Sequence, residues 1–484
     1  MPQKPKRIRD PLYGFIEVPG DILQILDHPL VQRLRWINQL PLEQLVYPSA
    51  QHSRFEHSLG TMHLAHRAAR SLRNNDGKKL LDILKAEASF DGFESEDEKL
   101  NHFYSLAICC GLLHDLGHAP FSHTLEDACE HSDIRTYKYD HEEVGCELIK
   151  ILFEKIGRSN DPLVLTVSKV LNKKLGGVKL SKIEVLLRSI VDHKIDVDKG
   201  DYTIRDGYHC GVTYGSYDHN RLWDNITIGD NYKIAVTKKA AIDAWALRIA
   251  RYMMSINVYK HHIRNITDAL LIEIINLGLE KTQDDEFANR NIVPIRKPSE
   301  LRDDKIYNNF LHWTDNTLLK TLSTIESPEI STLIDRFQSR DLHKRCFTVN
   351  LTSQYPEFST NKDLFRDCLK QLKSDFEADD ILFNYIIYKK EVPPVCENAV
   401  QRDIMVHDGN KNTPLAKHLD FSLQDTSDER LFLRPELLEI FIRGTDQESG
   451  QNLKTELETR LDQFKASLNP DQPSCKMSSD PQQQ

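Results

Sequence analysis

From Gly20 to Leu40 apolar residues recur at helical spacing, at Ile22, Leu26, Leu30, Leu34 and Ile37. Pro29 is placed to open a second helix there, because proline is tolerated at the first helical position. The same periodicity predicts helices over His57 to Leu72, Leu100 to Leu116, His141 to Lys155, Pro162 to Leu171 and Lys182 to Asp192. Glu94 to Lys99 reads as a charged, solvated connector. Ile226, Ile228, Tyr232, Ile234 and Val236 alternate around Gly229-Asp230-Asn231, the pattern of a β-hairpin with a tight turn. Two long amphipathic helices follow, about Ala240 to Val258 and His261 to Glu280.

The pattern then changes. Gln283 to Leu301 is polar and holds Pro294 and Pro298, which suits a boundary. Beyond it Cys346 to Leu351, Ile381 to Tyr388 and Ile404 to His407 look strand-like among helices. The expected fold is mainly α. A helical domain with a short β-hairpin spans 1–282, a smaller α+β lobe spans 283–446, and 447–484 is a charged helix running into a disordered tail.

Composition narrows the partners. The 63 basic and 73 acidic side chains among 484 residues leave a net charge of −10, which disfavours extended nucleic-acid coating or an anionic membrane surface. No apolar stretch is long enough to span a bilayer. The 9 cysteines form no CxxC pair, and Cys109-Cys110 sits inside an apolar run, so neither a zinc ribbon nor a disulfide framework is signalled. Met1 to Asp10 is basic without a following apolar segment, and the expected location is cytoplasmic.

The chemistry concentrates in His114-Asp115-Leu116-Gly117-His118-Ala119-Pro120-Phe121-Ser122-His123. The His114-Asp115 doublet ends a strongly apolar helix, where a charged pair is costly unless compensated. A metal ion is the natural compensation, since imidazole and carboxylate suit first-row divalent ions. Arg54-Phe55-Glu56-His57-Ser58 supplies another histidine upstream, and Asp196-Val197-Asp198-Lys199-Gly200-Asp201-Tyr202 supplies acids downstream. His118 lies one turn beyond His114 and shares its face if the helix persists. Pro120 breaks the pattern, and His123 begins a new turn with Glu126 three positions on. A carboxylate beside a histidine suits a general acid.

A histidine, a distant His-Asp doublet and a later aspartate form the signature of the HD-domain metal-dependent phosphohydrolases. The longer strings Ser53 to Gly60, His114 to His123 and Asp196 to Lys199 resemble the deoxynucleoside triphosphate triphosphohydrolase branch. The resemblance covers roughly Asp10 to Leu279 and fades afterwards. It implies one divalent metal held by His57, His114, Asp115 and Asp198, with Asp196 as the competing carboxylate or a residue that orients a ligand. Mn, Fe or Mg suits that set, Ni and Zn are alternatives, and a further Mg can accompany the triphosphate.

The same resemblance places His118, His123, Glu126 and His141 in catalysis, with glutamate at 126 where relatives carry aspartate. It assigns phosphate contacts to Arg54, Lys199 and Arg251, the 3′-hydroxyl check to Gln39, Leu40 and Asp206, and sugar and base packing to Tyr202 and Tyr259. Asp27, Gln32, Arg35 and Arg221 match positions that bind an activating nucleotide between subunits of a homo-oligomer, dimer or tetramer. As plain sequence, Gln32 and Arg35 equally fit the solvated face of an amphipathic helix. Lys260 departs from the pattern, so base preference does not carry over, and His262 stands where such relatives place a lysine, which weakens the regulatory match. The implied reaction cleaves a dNTP to deoxynucleoside and inorganic triphosphate. The competing expectations are another HD phosphohydrolase, acting on a nucleoside monophosphate, cyclic nucleotide or alarmone, and a nucleotide sensor working through a protein partner.

Overall fold

Caps that hydrophobic periodicity does not reveal set the helix boundaries. Ser53 opens a helix three residues before His57, because its hydroxyl accepts from the Glu56 amide while the Glu56 carboxylate accepts from the Ser53 amide at 2.7 Å. Ser95 and Glu98 form the same capping box. The expected connector at 94–99 is therefore mostly the first turn of a helix. The computed structural model describes residues 4–131, 138–174 and 179–342. It also describes strands at 344–350, 385–389, 405–407, 412–414 and 437–442, and a few positions between 455 and 463.

Chain order begins with β1 (Lys6–Asp10) and β2 (Gly14–Val18), an antiparallel hairpin that the sequence pattern did not predict. Then come α1 (Leu23–Leu26), α2 (Pro29–Arg33), the long α3 (Arg54–Lys85), α4 (Glu96–Leu113), α5 (His123–His131), α6 (His141–Lys155), α7 (Pro162–Leu171) and α8 (Lys182–Val191). Next are α9 (Val197–Cys210), α10 (His219–Trp223) and the expected hairpin, β3 (Ile226–Ile228) with β4 (Ile234–Thr237). The series of helices closes with α11 (Ala241–Met254), a π-helical turn at Ser255–Tyr259, α12 (His262–Lys281), α13 (Glu286–Ile292), α14 (Asp304–Leu311), α15 (Asp315–Ser323) and α16 (Pro328–Ser339). The fold is mainly α.

Two compact units emerge. The first joins Met1–Arg340 to Pro393–Leu433, so the division expected at 282/283 falls inside it, and α13 to α16 belong with the preceding helices. Strand β7 (Met405–His407) pairs parallel with β4 and antiparallel with β8 (Asn412–Pro414), extending the hairpin to four strands. The second unit comprises Asp341–Val392 and Arg434–Gln484. In it β5 (Lys344–Asn350), β9 (Leu437–Ile442) and β6 (Tyr385–Lys389) make an antiparallel sheet in the order β5-β9-β6. The 381–384 part of one expected strand, and nearly all of 447–484, lie outside the described residues.

The α3–α4 contact positions the chemistry. A Cβ on Gly111 would lie 2.7 Å from the Thr61 carbonyl oxygen, so only glycine lets the two backbones approach this closely. Thr61 Oγ1 donates to the Gly111 carbonyl at 2.7 Å across that contact. His57 lies one turn before Thr61 and His114 three residues after Gly111. The same close approach thus brings the two imidazoles together.

Candidate metal centre and active site

Helix α4 ends at Leu113 with His114 as its C-cap, earlier than the expected Leu116. A turn rather than a continued helix carries Asp115 to His118. The Nδ1–H of His114 donates to the Gly111 carbonyl at 2.9 Å, and the Nδ1–H of His57 donates to the buried Asp201 at 2.8 Å. Each Nδ1 is committed, which leaves both Nε2 lone pairs facing one another at 3.2 Å. Asp198 Oδ1 lies 3.0 Å from His57 Nε2 and 3.6 Å from His114 Nε2. Asp115 offers an oxygen 3.2 Å from His114 Nε2 and another 3.8 Å from His57 Nε2.

Lone pairs converging in this way repel unless a proton or a cation lies between them. His57, His114 and Asp198 present ligand atoms that all lie within 4.8 Å of one another. The chemistry of this donor set fits a divalent ion. Burial opposes charge on Asp198, yet its contacts with His114 and His57 hold its carboxyl well below the usual range. Burial also opposes charge on Asp115, and His114, Arg54 and His118 outweigh it in the same direction. For His57 burial works against the imidazolium, but Asp198 and Asp201 raise its pKa to about 10. The site attracts positive charge strongly.

Asp196, the competing carboxylate, is committed elsewhere. It is fully buried as the N-cap of α9, accepting from the Lys199 amide at 2.7 Å, the His193 amide at 2.8 Å and Lys199 Nζ at 2.5 Å. That bond draws the Lys199 ammonium to Asp196, and Lys199 is not among the residues lining the cavity.

Beside the metal cluster stand the other histidines. His141 Nδ1 donates to Glu126 Oε1 at 2.6 Å and His123 Nδ1 to Glu126 Oε2 at 2.7 Å. One carboxylate thus serves two imidazoles. These three side chains also meet the spacing of a cation site, but both glutamate oxygens already accept from imidazole N–H groups. Burial disfavours charge on Glu126, yet the two imidazoles hold its carboxyl far below the ordinary range. His118 stacks on His141 with centroids 4.0 Å apart and its Nε2 lies 3.3 Å from Asp115, bridging the two groups. Burial, then Arg54 and His141, keep His118 neutral.

Gly117 makes that stack feasible. A Cβ there would meet the His141 carbonyl oxygen at 2.0 Å and the Gly145 nitrogen at 2.5 Å, both rigid backbone. Gly117→Ala is expected to displace the His118 turn from α6 and lower hydrolytic activity about 100-fold, the order reported for a misplacement near 1 Å. Steady-state turnover with the bound metal counted checks this; unchanged kcat would show that the turn tolerates the shift.

One cavity of about 480 Å³ is lined by His57, His114, Asp115, Asp198, His118, His123 and His141, and also by Gln39, Leu40, Arg54, Tyr202, Asp206, Arg251 and Tyr259. Arg251 Nε donates to the Tyr202 hydroxyl at 2.6 Å, and the Tyr259 hydroxyl donates to Asp206 at 2.7 Å. Arg54 is buried between Asp115, 2.5 Å from its Nη1, and Ser122 Oγ, 2.8 Å from its Nε. The cavity therefore presents both guanidinium and carboxylate groups.

The residues matched to a regulatory nucleotide lie elsewhere. Arg35 Nε donates to Gln32 at 2.8 Å and its guanidinium covers the Phe55 ring, while exposed Asp27 pairs with Lys6 at 3.6 Å. Arg221 is engaged with the Lys239 carbonyl and with Asp243. Sequence reasoning missed three supporting groups: Asp201 behind His57; Arg205 and Asp10 behind Asp201; and His52, 2.7 Å from Asp206. Asp201 had a legible signal, because Asp198, Asp201 and Arg205 are spaced three and four apart along one helix face.

The helical fold sets a histidine–aspartate cluster able to hold a divalent ion beside a second cluster of His118, His123, Glu126 and His141. Residues 54–202 match the HD domain and 217–292 the HD associated region. Residues 54–202 thus carry an HD domain, followed by its associated region. An uncharacterized protein of Methanocaldococcus jannaschii is 34% identical over 270 residues, which cover 55% of this chain and 48% of that protein. The chain thus spans about half of that relative. The Dictyostelium discoideum deoxynucleoside triphosphate triphosphohydrolase SAMHD1 homolog is 26% identical over 396 residues, covering 80% of this chain and 69% of that protein. A solved phosphohydrolase from Bacteroides thetaiotaomicron shares the fold, with TM-score 0.66 and 23% identity over 91% of this chain and 100% of its own.

Proposed function

We propose that this protein hydrolyses deoxynucleoside triphosphates to deoxynucleoside and inorganic triphosphate. The observation that carries this reading is one cavity in which the histidine–aspartate cluster adjoins cationic groups and the Gln39–Leu40, Asp206 and Tyr259 surface. The likeness to the Dictyostelium triphosphohydrolase supports the same substrate class.

A divalent ion at His57, His114, Asp115 and Asp198 would supply Lewis-acid activation of water and of a phosphoryl oxygen. Asp201 and the Gly111 carbonyl keep both Nε2 atoms available by holding the opposite ring protons. Arg251 presents a guanidinium suited to phosphate oxygens, held by Tyr202. When water adds at the α-phosphorus and the bond to the 5′-oxygen breaks, the departing alkoxide needs a proton. His123 is the exposed member of the cluster, and Glu126 holds its Nδ1–H and leaves Nε2 as the proton-transfer atom, so it is the donor. Asp206, fixed by His52 and Tyr259, accepts from a sugar hydroxyl.

The test is product identity. Purified protein is incubated with each dNTP and NTP, singly and in pairs, with several divalent metals, and products are separated by anion exchange. Intact triphosphate with deoxynucleoside is expected. Orthophosphate or pyrophosphate as the first product would refute the reading. The paired mixtures also test activation by a second nucleotide, and the same samples run on a sizing column test assembly into dimers or tetramers.

A further inference from the structure

The catalytic turn contains two consecutive residues in the left-handed region, Phe121 at φ 54° and Ser122 at φ 51°. Neither is glycine, so each conformation is strained and persists only where its surroundings enforce it. The turn aims Ser122 Oγ at Arg54 and sets His123 at the start of α5. What enforces it comes from far along the chain. Asp315, at the start of α15, accepts the Phe121 amide on Oδ1 at 2.8 Å and the Asn38 amide on Oδ2 at 2.9 Å. Asn38 precedes Gln39 and Leu40, and its own backbone bridges to Ser53 at the head of α3. One carboxylate thus ties the turn carrying His123 to the loop carrying Gln39 and Leu40.

A second brace comes from the same place. Buried Arg33 donates from Nε to the Trp313 carbonyl at 3.1 Å and from Nη1 to the His118 carbonyl at 2.9 Å, with its guanidinium over the Phe310 ring. Trp313 and Asp315 lie two residues apart, beyond both the matched HD domain and its associated region.

We infer that Asp315 is a positioning residue for the reaction: it clamps the left-handed Phe121-Ser122 turn to the Asn38–Leu40 loop, so that the proton donor His123 and the sugar-facing wall keep a fixed separation. The segment 313–315 therefore belongs to the catalytic unit. The clamp is the two amide bonds; its effect on proton donation rests on the reading of His123 above. Asp315 is 6% exposed, and the two amides use both of its oxygens. Asparagine in its place would keep one acceptor and turn an NH₂ group against the other amide.

The experiment uses the full chain carrying Asp315→Asn and, separately, Asp315→Glu, each checked for unchanged helical content and bound metal. Amide hydrogen exchange addresses the clamp alone. The Phe121 and Asn38 amides are expected to be protected in the wild type and to lose protection together in Asp315→Asn. Protection of both amides retained in that variant would overturn the clamp, whatever the substrate proves to be. Turnover addresses the consequence: kcat on a dNTP is expected to fall about 10- to 100-fold. Turnover of bis(4-nitrophenyl) phosphate, whose leaving group needs no proton, is expected to stay within about threefold. Equal losses on both substrates would reduce Asp315 to a structural residue and overturn the positioning role. A wild type that cleaves the nitrophenyl ester but no dNTP would sink the proposed substrate and leave the exchange result standing.

Discussion

His114→Ala is expected to abolish stoichiometric metal binding and to lower hydrolytic activity at least about 1000-fold. The magnitude follows from an ion contributing several kcal/mol of charge stabilisation, at 1.36 kcal/mol for each factor of ten. Asp198→Ala should behave alike, because its oxygen is the nearest carboxylate atom to His57 Nε2, at 3.0 Å. Metal content after dialysis and turnover on the same samples decide the matter. A variant that loses activity but keeps its metal would demote that residue from ligand to bystander; one that keeps both would dissolve the proposed centre.

The same centre predicts the direction of a pH effect. With no ion bound, the carboxylates around His57 raise its pKa to about 10, so at neutral pH the imidazole carries a proton that a cation must displace. Apparent metal affinity should therefore rise by about tenfold per pH unit through the neutral range and flatten near pH 10. For the metal-free protein the sign is opposite. The raised pKa contributes stability that is full below about 6.5, the unfolded value, and is lost as the pH climbs through 10. Titrating metal at several pH values distinguishes these outcomes, since an affinity indifferent to pH would mean that His57 is already unprotonated.

Much of this was legible in the chain, and the rest was hidden for identifiable reasons. Periodicity located α6, α7, α8 and the hairpin β3–β4, where amphipathic or alternating patterns are long and regular. It misjudged the starts of α3 and α4, because Ser53 and Ser95 are polar residues whose role as caps depends on a glutamate three positions later. It overlooked α9, whose first turns hold Asp198, Lys199, Gly200 and Asp201. A helix face filled by Asp198, Asp201 and Arg205 has little room for an apolar stripe. The strings that carry His57, His114-Asp115 and Asp198 could be read because each is contiguous in the chain. Asp315 could not be read, because it lies some 190 residues from Phe121 and carries no local motif.

Asp201 is the residue whose loss should cost the protein most. It is completely buried, and so is Arg205, whose Nε and Nη2 reach its two oxygens at 2.8 and 2.9 Å. The Tyr13 hydroxyl donates to it at 2.8 Å, and Asp10 takes Arg205 Nη1 at 2.9 Å, so β1, the β1–β2 turn, α3 and α9 meet at this carboxylate. Alanine there would leave His57 Nδ1 without an acceptor and Arg205 with one carboxylate instead of two. Breaking such a pair is expected to destabilise the fold by about 3–5 kcal/mol, measured as a shift in chemical denaturation. Asp201→Asn keeps the volume and one acceptor, and separates the two roles. It should cost less stability yet weaken metal binding about 10- to 100-fold, since His57 loses the partner that fixes its ring and strengthens its basicity. Burial opposes charge on Asp201, but Arg205 and His57 hold its carboxyl well below the usual range. Its contribution is therefore complete above about pH 3.9 and is lost as the pH falls toward the depressed folded value. The asparagine variant should show a shallower acid limb in its stability curve. Wild-type metal affinity in that variant would mean that the carboxylate serves Arg205 alone, and that His57 is held by its helix rather than by its partner.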